Sequence, residues 1–313
     1  MAKFAIYNYQ FEPMLEKFEQ MELEFPEWEK VDPKVSFENR QQIFGQIFED
    51  DFNKVEGRTL KFKMRNKILR HDHLMKPTDG IIVMRVANQR ITKITKADFT
   101  TDVVDDYPNC LVVFDNRDGI QRLLIEQKSS AFAETKTVAK AMKDAFNHVL
   151  KHFKLSISLD PIFRAKEFEK MVKQYDHIGF RMVKFVLPHK NLDRVVEGME
   201  QTLSDIRANW QTTMEIAFKA PQGGRVPIDL TNERQMNLVK LASGIGGDTI
   251  RMTPNGQYQR QLFCGEDSFI TENIESDIFT ELAKENPINS LFEEDSPLNR
   301  LKIAMKQIKN HYD

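Results

Sequence analysis

The stretch CLVVFDNRDGIQRLLIEQK, Cys110–Lys128, sets two short apolar runs on either side of a turn segment. Asp, Asn and Gly tolerate the backbone angles of a tight turn, so DNRDG marks the end of a β-hairpin. With Asp118-Gly119 as the two turn residues, 115 falls opposite 122, 113 opposite 124, 111 opposite 126 and 109 opposite 128. Side chains alternate along a strand. Asn109, Leu111, Val113, Asp115, Arg122, Leu124, Glu126 and Lys128 therefore share one face, and Cys110, Val112, Phe114, Leu123 and Ile125 the other. Asp115 lies four residues up the ladder from Glu126, roughly 13 Å at the usual strand rise. That is too far to hold one metal ion between them. Asn109, in Tyr107-Pro108-Asn109-Cys110, is the residue that shares Glu126's end of the hairpin.

Outward from the hairpin, the pattern predicts a first strand over 3–11, a helix over 12–25 and a helix over about 37–53 with Ser36 as its cap. RTLKFKMRNKILRH (58–71), GIIVMRVAN (80–88) and RITKITK (90–96) read as strands, the last two joined by a turn at Asn88-Gln89. The segment 131–153 has helical spacing through Phe132, Val138, Met142, Phe146, Leu150 and Phe153, and KLSISL (154–159) reads as a closing strand. The second half predicts helix, strand, a long helix from Asn191, two strands including RVPIDL, a helix ended by Gly244, and a hairpin at Asn255-Gly256. The expectation is an α+β protein. A mixed sheet with flanking helices occupies 1–160, and a split β-α-β (ferredoxin-like) half with an acidic helical tail occupies 161–313.

Of the 313 residues, 41% are hydrophobic and 29% charged, a globular rather than a disordered balance. No apolar run reaches membrane-spanning length, the N-terminus MAKFAIYNYQFEP lacks a signal-peptide pattern, and Cys110 and Cys264 make no disulfide framework. The reading is cytoplasmic, with no membrane. The net charge of −2 conceals segregation. Residues 1–56 hold 13 acidic and 6 basic side chains, whereas 57–97 hold 11 basic and 2 acidic, and acidic residues recur after Gly265.

Within the basic region Lys61, Lys63, Arg65 and Lys67 fall at period two, so one strand would project all four from one face. Alternate strand residues are roughly 6.5–7 Å apart, close to the phosphate spacing of an extended nucleic-acid strand. Arg85 and Arg90 extend the basic region. Three readings stand together: a phosphate-backbone site, docking on acidic segments of this or another chain as a homo-oligomer or partner complex, and lysines that protect an edge strand. His71-Asp72-His73, and His148 with His152 one helical turn on, offer weaker ligand spacings. SGIGGDT (243–249) follows a helix instead of opening one, and reads as a helix stop.

Pro108-Asn109 followed by Glu126-Gln127-Lys128 on a hairpin resembles the signature of the PD-(D/E)xK nucleases. The helix, strands, hairpin, helix and strand over roughly 36–160 are similar to that family's core. The resemblance implies a metal-dependent nuclease in which Asn109 and Glu126 hold Mg²⁺ and Lys128 steadies charge on the phosphate. Asn109 stands where the family carries an acidic ligand, with Asp105 or Asp106 as substitutes if the strand starts earlier. The leading expectation is a nucleic-acid-interacting protein, with a bacterial anti-phage defence or mobile-element setting implied by that resemblance. A degenerate nuclease and a non-enzymatic interaction subunit are the alternatives.

Overall fold

A computed structural model of the chain describes residues 1–14, 31–117, 120–163, 165–187, 214–243, 250–256, 261–264, 270–284 and 295–312. Of the helix expected over 12–25, Glu12 and Pro13 instead end the first strand and 15–25 lie outside these residues, as do the turn pair Asp118-Gly119, the long helix from Asn191 and most of SGIGGDT.

The chain opens with β1 (Ala2–Pro13), then α1 (Pro33–Glu38) and α2 (Arg40–Phe52). Helix α1 starts where Pro33 supplies its preset φ and the Asp32 carboxylate accepts from the Lys34 amide at 2.8 Å. Two short strands, β2 (Lys63–Met64) and β3 (Lys67–Ile68), precede β4 (Arg70–His73), β5 (Ile81–Ala87), β6 (Arg90–Thr95) and β7 (Thr101–Asp106). Next come the hairpin strands β8 (Asn109–Asp115) and β9 (Arg122–Glu126), α3 (Thr135–Leu150) and β10 (Leu155–Pro161).

The hairpin takes the register its turn dictates, with Val113 opposite Leu124 and Asp115 opposite Arg122. It is the middle of the main sheet, whose order is β10-β1-β9-β8-β5-β4, with every pairing antiparallel. Both hairpin faces are covered, which is why its strands read as unbroken apolar runs. On one face Val112, Phe114, Leu123 and Ile125 join Phe44 and Phe48 of α2 and Phe146 of α3 in a core. Phe44 stands 4.9 Å centroid to centroid from both Phe48 and Phe146, in edge-to-face geometry.

The other face is closed from the far end of the chain. Strand β11 (Phe180–Leu187), β12 (Met214–Lys219), β13 (Ile250–Pro254) and β14 (Leu262–Phe263) form a second antiparallel sheet. Helices α4 (Ala165–Tyr175) and α5 (Glu233–Ala242) pack on it through Phe168, Val172, Val239 and Ala242. The chain then returns. Strand β15 (Thr271–Ile274) pairs with β1 on the edge that β10 occupies further along. Helices α6 (Ser276–Leu282) and α7 (Pro297–Tyr312) bury Phe279, Leu298, Leu301 and Met305 against Val113 and Leu124. Strand β15 and helices α6 and α7 thus complete the first sheet and its second face, across the expected boundary at 160. The chain is α+β.

The helix expected over about 37–53 with Ser36 as its cap is two helices with Ser36 inside the first, and three further local expectations change. RTLKFKMRNKILRH is not one strand: it folds back at Arg65-Asn66, with Lys63 opposite Ile68 and Met64 opposite Lys67. Asn88-Gln89 is not a turn, since β5 runs on into β6 while β7 runs into β8. RVPIDL forms no strand, although the Val226 amide donates to the Phe180 carbonyl at 2.8 Å.

Candidate functional site

Glu126 closes β9, and its carboxylate accepts from the Leu111 backbone amide of the neighbouring strand at 2.9 Å. Asn109 opens β8, and its side-chain amide donates to the Tyr107 carbonyl at 3.3 Å. Lys128 lies two residues beyond β9, its side chain exposed and its carbonyl accepting from the Ala131 and Phe132 amides. The three residues fall at one end of the hairpin, as the register requires. The Asn109 amide and the Glu126 carboxylate are nevertheless bonded to backbone, and the Lys128 ammonium stands in solvent. Asp105 and Asp106, the possible substitutes, sit on β7 opposite Ile91 and Arg90, outside the main sheet. Asp115 is taken as well: its buried carboxylate accepts from the Arg117 guanidinium at 2.8 and 2.7 Å.

An ion such as Mg²⁺ takes an oxygen-rich octahedral set. One carboxylate bonded to an amide and one side-chain amide turned to its own strand do not fit it. Among the described residues no group of three His, Cys, Asp or Glu side chains is placed to hold a metal. Cys110 is beside this end of the hairpin, and burial together with the Glu126 charge pushes its thiol up to about 12, away from the thiolate form.

The cations fare differently. Lys61, Lys63, Arg65 and Lys67 are all exposed, on a hairpin whose Phe62 and Leu69 are buried in the core over α3. The Leu69 amide donates to the Phe62 carbonyl at 2.8 Å, and Arg65 occupies the turn at φ 54°. None of the four makes an ion pair among the described residues. They crowd round a tight turn in place of the expected ladder. Arg85 is exposed, but its parity with Ile81 and Val83 turns it to the opposite face of the sheet from Phe62 and Leu69. Arg90 donates to the Ala131 carbonyl at 3.0 Å. The structure therefore gathers four of the six expected cations and separates the other two.

A cluster escaped sequence reasoning. Asp51, at the end of α2, accepts from the Leu60 amide at 2.7 Å and contacts Nε2 of His71 and Nε2 of His73, each at 2.9 Å. Burial by itself would raise this carboxyl. The His71 and His73 hydrogen bonds, the His71 charge and the Leu60 amide outweigh it and hold the group well below the usual carboxylate range. Phe62 flanks His71 and Phe52 flanks His73, with ring centroids 4.7 and 5.6 Å apart. The period-two spacing of His71 and His73 was the visible half of the signal. The partner twenty residues earlier on a helix was not. The cluster ties α2, the 58–60 segment and β4 together beneath the basic hairpin.

No protein-family model matches this chain, and no curated protein matches it in sequence. Among the described residues no helix is long and apolar enough to cross a membrane.

Proposed function

We propose that this chain is a binding protein whose basic hairpin, Lys61–Ile68, engages the phosphate backbone of a nucleic acid. The observation that carries the reading is the set of four exposed cations with no acidic partner among the described residues, mounted on a turn anchored by Phe62 and Leu69. Unneutralised Lys and Arg in such density attract polyanions, and phosphate contacts of this kind carry affinity without reading sequence. Among the described residues, no acidic side chain of the same chain docks on these four cations. Asp50 is engaged by Arg58 and Asp51 by the histidines. The nuclease alternative has lost its second carboxylate, so the hairpin at Asn109, Glu126 and Lys128 is read as structural. A cytoplasmic setting is carried over from the sequence reading, and placement in a bacterial defence or mobile-element system leans on the nuclease resemblance.

Fluorescence anisotropy of labelled single- and double-stranded DNA and RNA over a salt series tests the proposal. Binding with a slope of log affinity against log salt of about −3 to −4 is expected, one unit or slightly less for each phosphate neutralised. Replacing all four cations by Gln flattens the slope without changing the melting temperature. Anisotropy that is flat for every nucleic acid overturns the reading.

A further inference from the structure

We propose that the ribbon formed by β6 and β7 is a self-association arm through which two copies of this chain pair. The ribbon is a continuation of the core hairpin. Ala87 lies opposite Asn109 and Arg90 opposite Asp106, three residues on along one strand and three back along the other, so one register runs through both ladders. At the junction the Asn88 amide donates to the Pro108 carbonyl at 3.0 Å, and Pro108, which has no amide proton, returns no bond. There the arm is anchored: Asn88 and Arg90 donate to the Ala131 carbonyl, and the Arg70 guanidinium lies 4.8 Å over the Tyr107 ring.

Beyond that anchor all twelve strand residues are exposed. Six residues per strand carry the arm roughly 20 Å from the sheet. Its composition does not suit a wet surface. Of the eleven large hydrophobic side chains exposed among the described residues, five (Ile91, Ile94, Phe99, Val103 and Val104) belong to this one ribbon. Phe99 is 90% exposed at the tip, and its φ of 65° is uncommon for a bulky residue. A two-stranded ribbon left alone in water is marginal, so an apolar one calls for a cover.

The charges say which cover. Strand β6 carries Arg90 and Lys93, β7 carries Asp105 and Asp106, and near the tip Lys96 and Asp102 already pair within the arm at 2.7 Å while Asp98 caps the turn through Thr100. The arm is close to neutral with its signs divided between the strands, which suits neither a polyanion nor a polycation. Edge pairing of two like strands about a twofold would set like charges side by side. Edge pairing of β6 on β7 would leave an unpaired edge and not close. A twofold crossing the ribbon between Ile91 and Lys93 instead stacks two arms face to face and antiparallel, which keeps the helical layers of the two copies at opposite ends. Because Arg90 turns toward Ala131, the face turned away from that segment carries Ile91, Lys93, Val103 and Asp105. Stacked on its twin, that face brings Ile91 and Val103 of both copies together and lets Lys93 reach the other copy's Asp105. A contact of this size falls among weak interfaces, with dissociation expected on the order of 10 µM.

Sedimentation velocity on the full chain across a concentration series around that value tests this. A monomer–dimer equilibrium is expected, weakened at least tenfold by Ile91→Glu with Val103→Glu. Lys93→Glu and Asp105→Lys should each weaken it, and the two together should restore it. All of these positions are exposed, so thermal melts should stay unchanged. A chain that remains monomeric well above 10 µM overturns the proposal and leaves the arm to a different protein. So does a dimer indifferent to the four substitutions.

Discussion

The Glu126 carboxylate and the Leu111 amide face each other across the central hairpin at 2.9 Å, at the point where the β8–β9 ladder gives out. A side chain in the acidic position of a nuclease-like pattern is here completing a sheet. If that is its work, Glu126→Ala leaves a half-buried amide without an acceptor and costs about 1–3 kcal/mol in chemical denaturation. Glu126→Gln keeps an oxygen and costs less. Mg²⁺ should not change the denaturation midpoint of either the parent protein or the variants. A metal-dependent midpoint lost with Glu126 would return the residue to catalysis.

Asp51 carries the same argument into pH. Its carboxyl is held below its unfolded value, so the stability it contributes is fully present above about pH 4 and declines as the pH falls from there toward the folded value. The stability gap between the parent chain and Asp51→Asn should therefore be wide at pH 6 and narrower at pH 3. Urea denaturation at the two pH values measures it. An equal gap at both would mean that the cluster acts through packing alone.

The hairpin was legible because everything that decides it is local: apolar runs, turn residues and a period of two within nineteen residues. The alternate lysines of 61–67 misled for the same reason. Periodicity alone reads them as one strand, and the signal for the reversal, Asn66 after Arg65, is weaker than a Gly would be. At Asn88-Gln89 two polar residues suggested a turn, whereas the partner strand passes Tyr107-Pro108 and both strands run straight through. Contacts that join distant parts of the chain had no local trace. Strand β15 beside β1, and the approach of Asp51 to His71 and His73, are settled by packing that no short window contains.

Placement of the cations yields a contrast within the basic region. Lys63 sits on the anchored hairpin and Arg85 on the other face of the sheet. Lys63→Gln should reduce the salt slope of nucleic-acid binding by about one unit. Arg85→Gln, an equal change in net charge, should leave it unaltered. If the two variants behave alike, the binding reports overall charge and not the hairpin.

The C-terminal helices offer the sharpest test of what holds the fold together, because two neighbouring residues of α7 face different environments. Arg300 reaches Glu275 and Asp277 at 2.7 Å and Glu281 at 3.0 Å, all on exposed side chains. The acidic tail thus supplies much of its own counter-charge, and an ion pair from Lys302 to Asp79 at 2.6 Å links it to the rest of the chain. Leu301 is fully buried in the core beneath Val113 and Leu124. Exposed ion pairs are screened and worth little, whereas a buried leucine loses both transfer energy and packing when truncated. Leu301→Ala should therefore cost about 2–5 kcal/mol and expose enough of the second face to bind a hydrophobic dye. Arg300→Ala should shift the melt only slightly, and less still in high salt. The reverse order would mean that the tail is held to the sheet by charge, and that the apolar face under it can stand open.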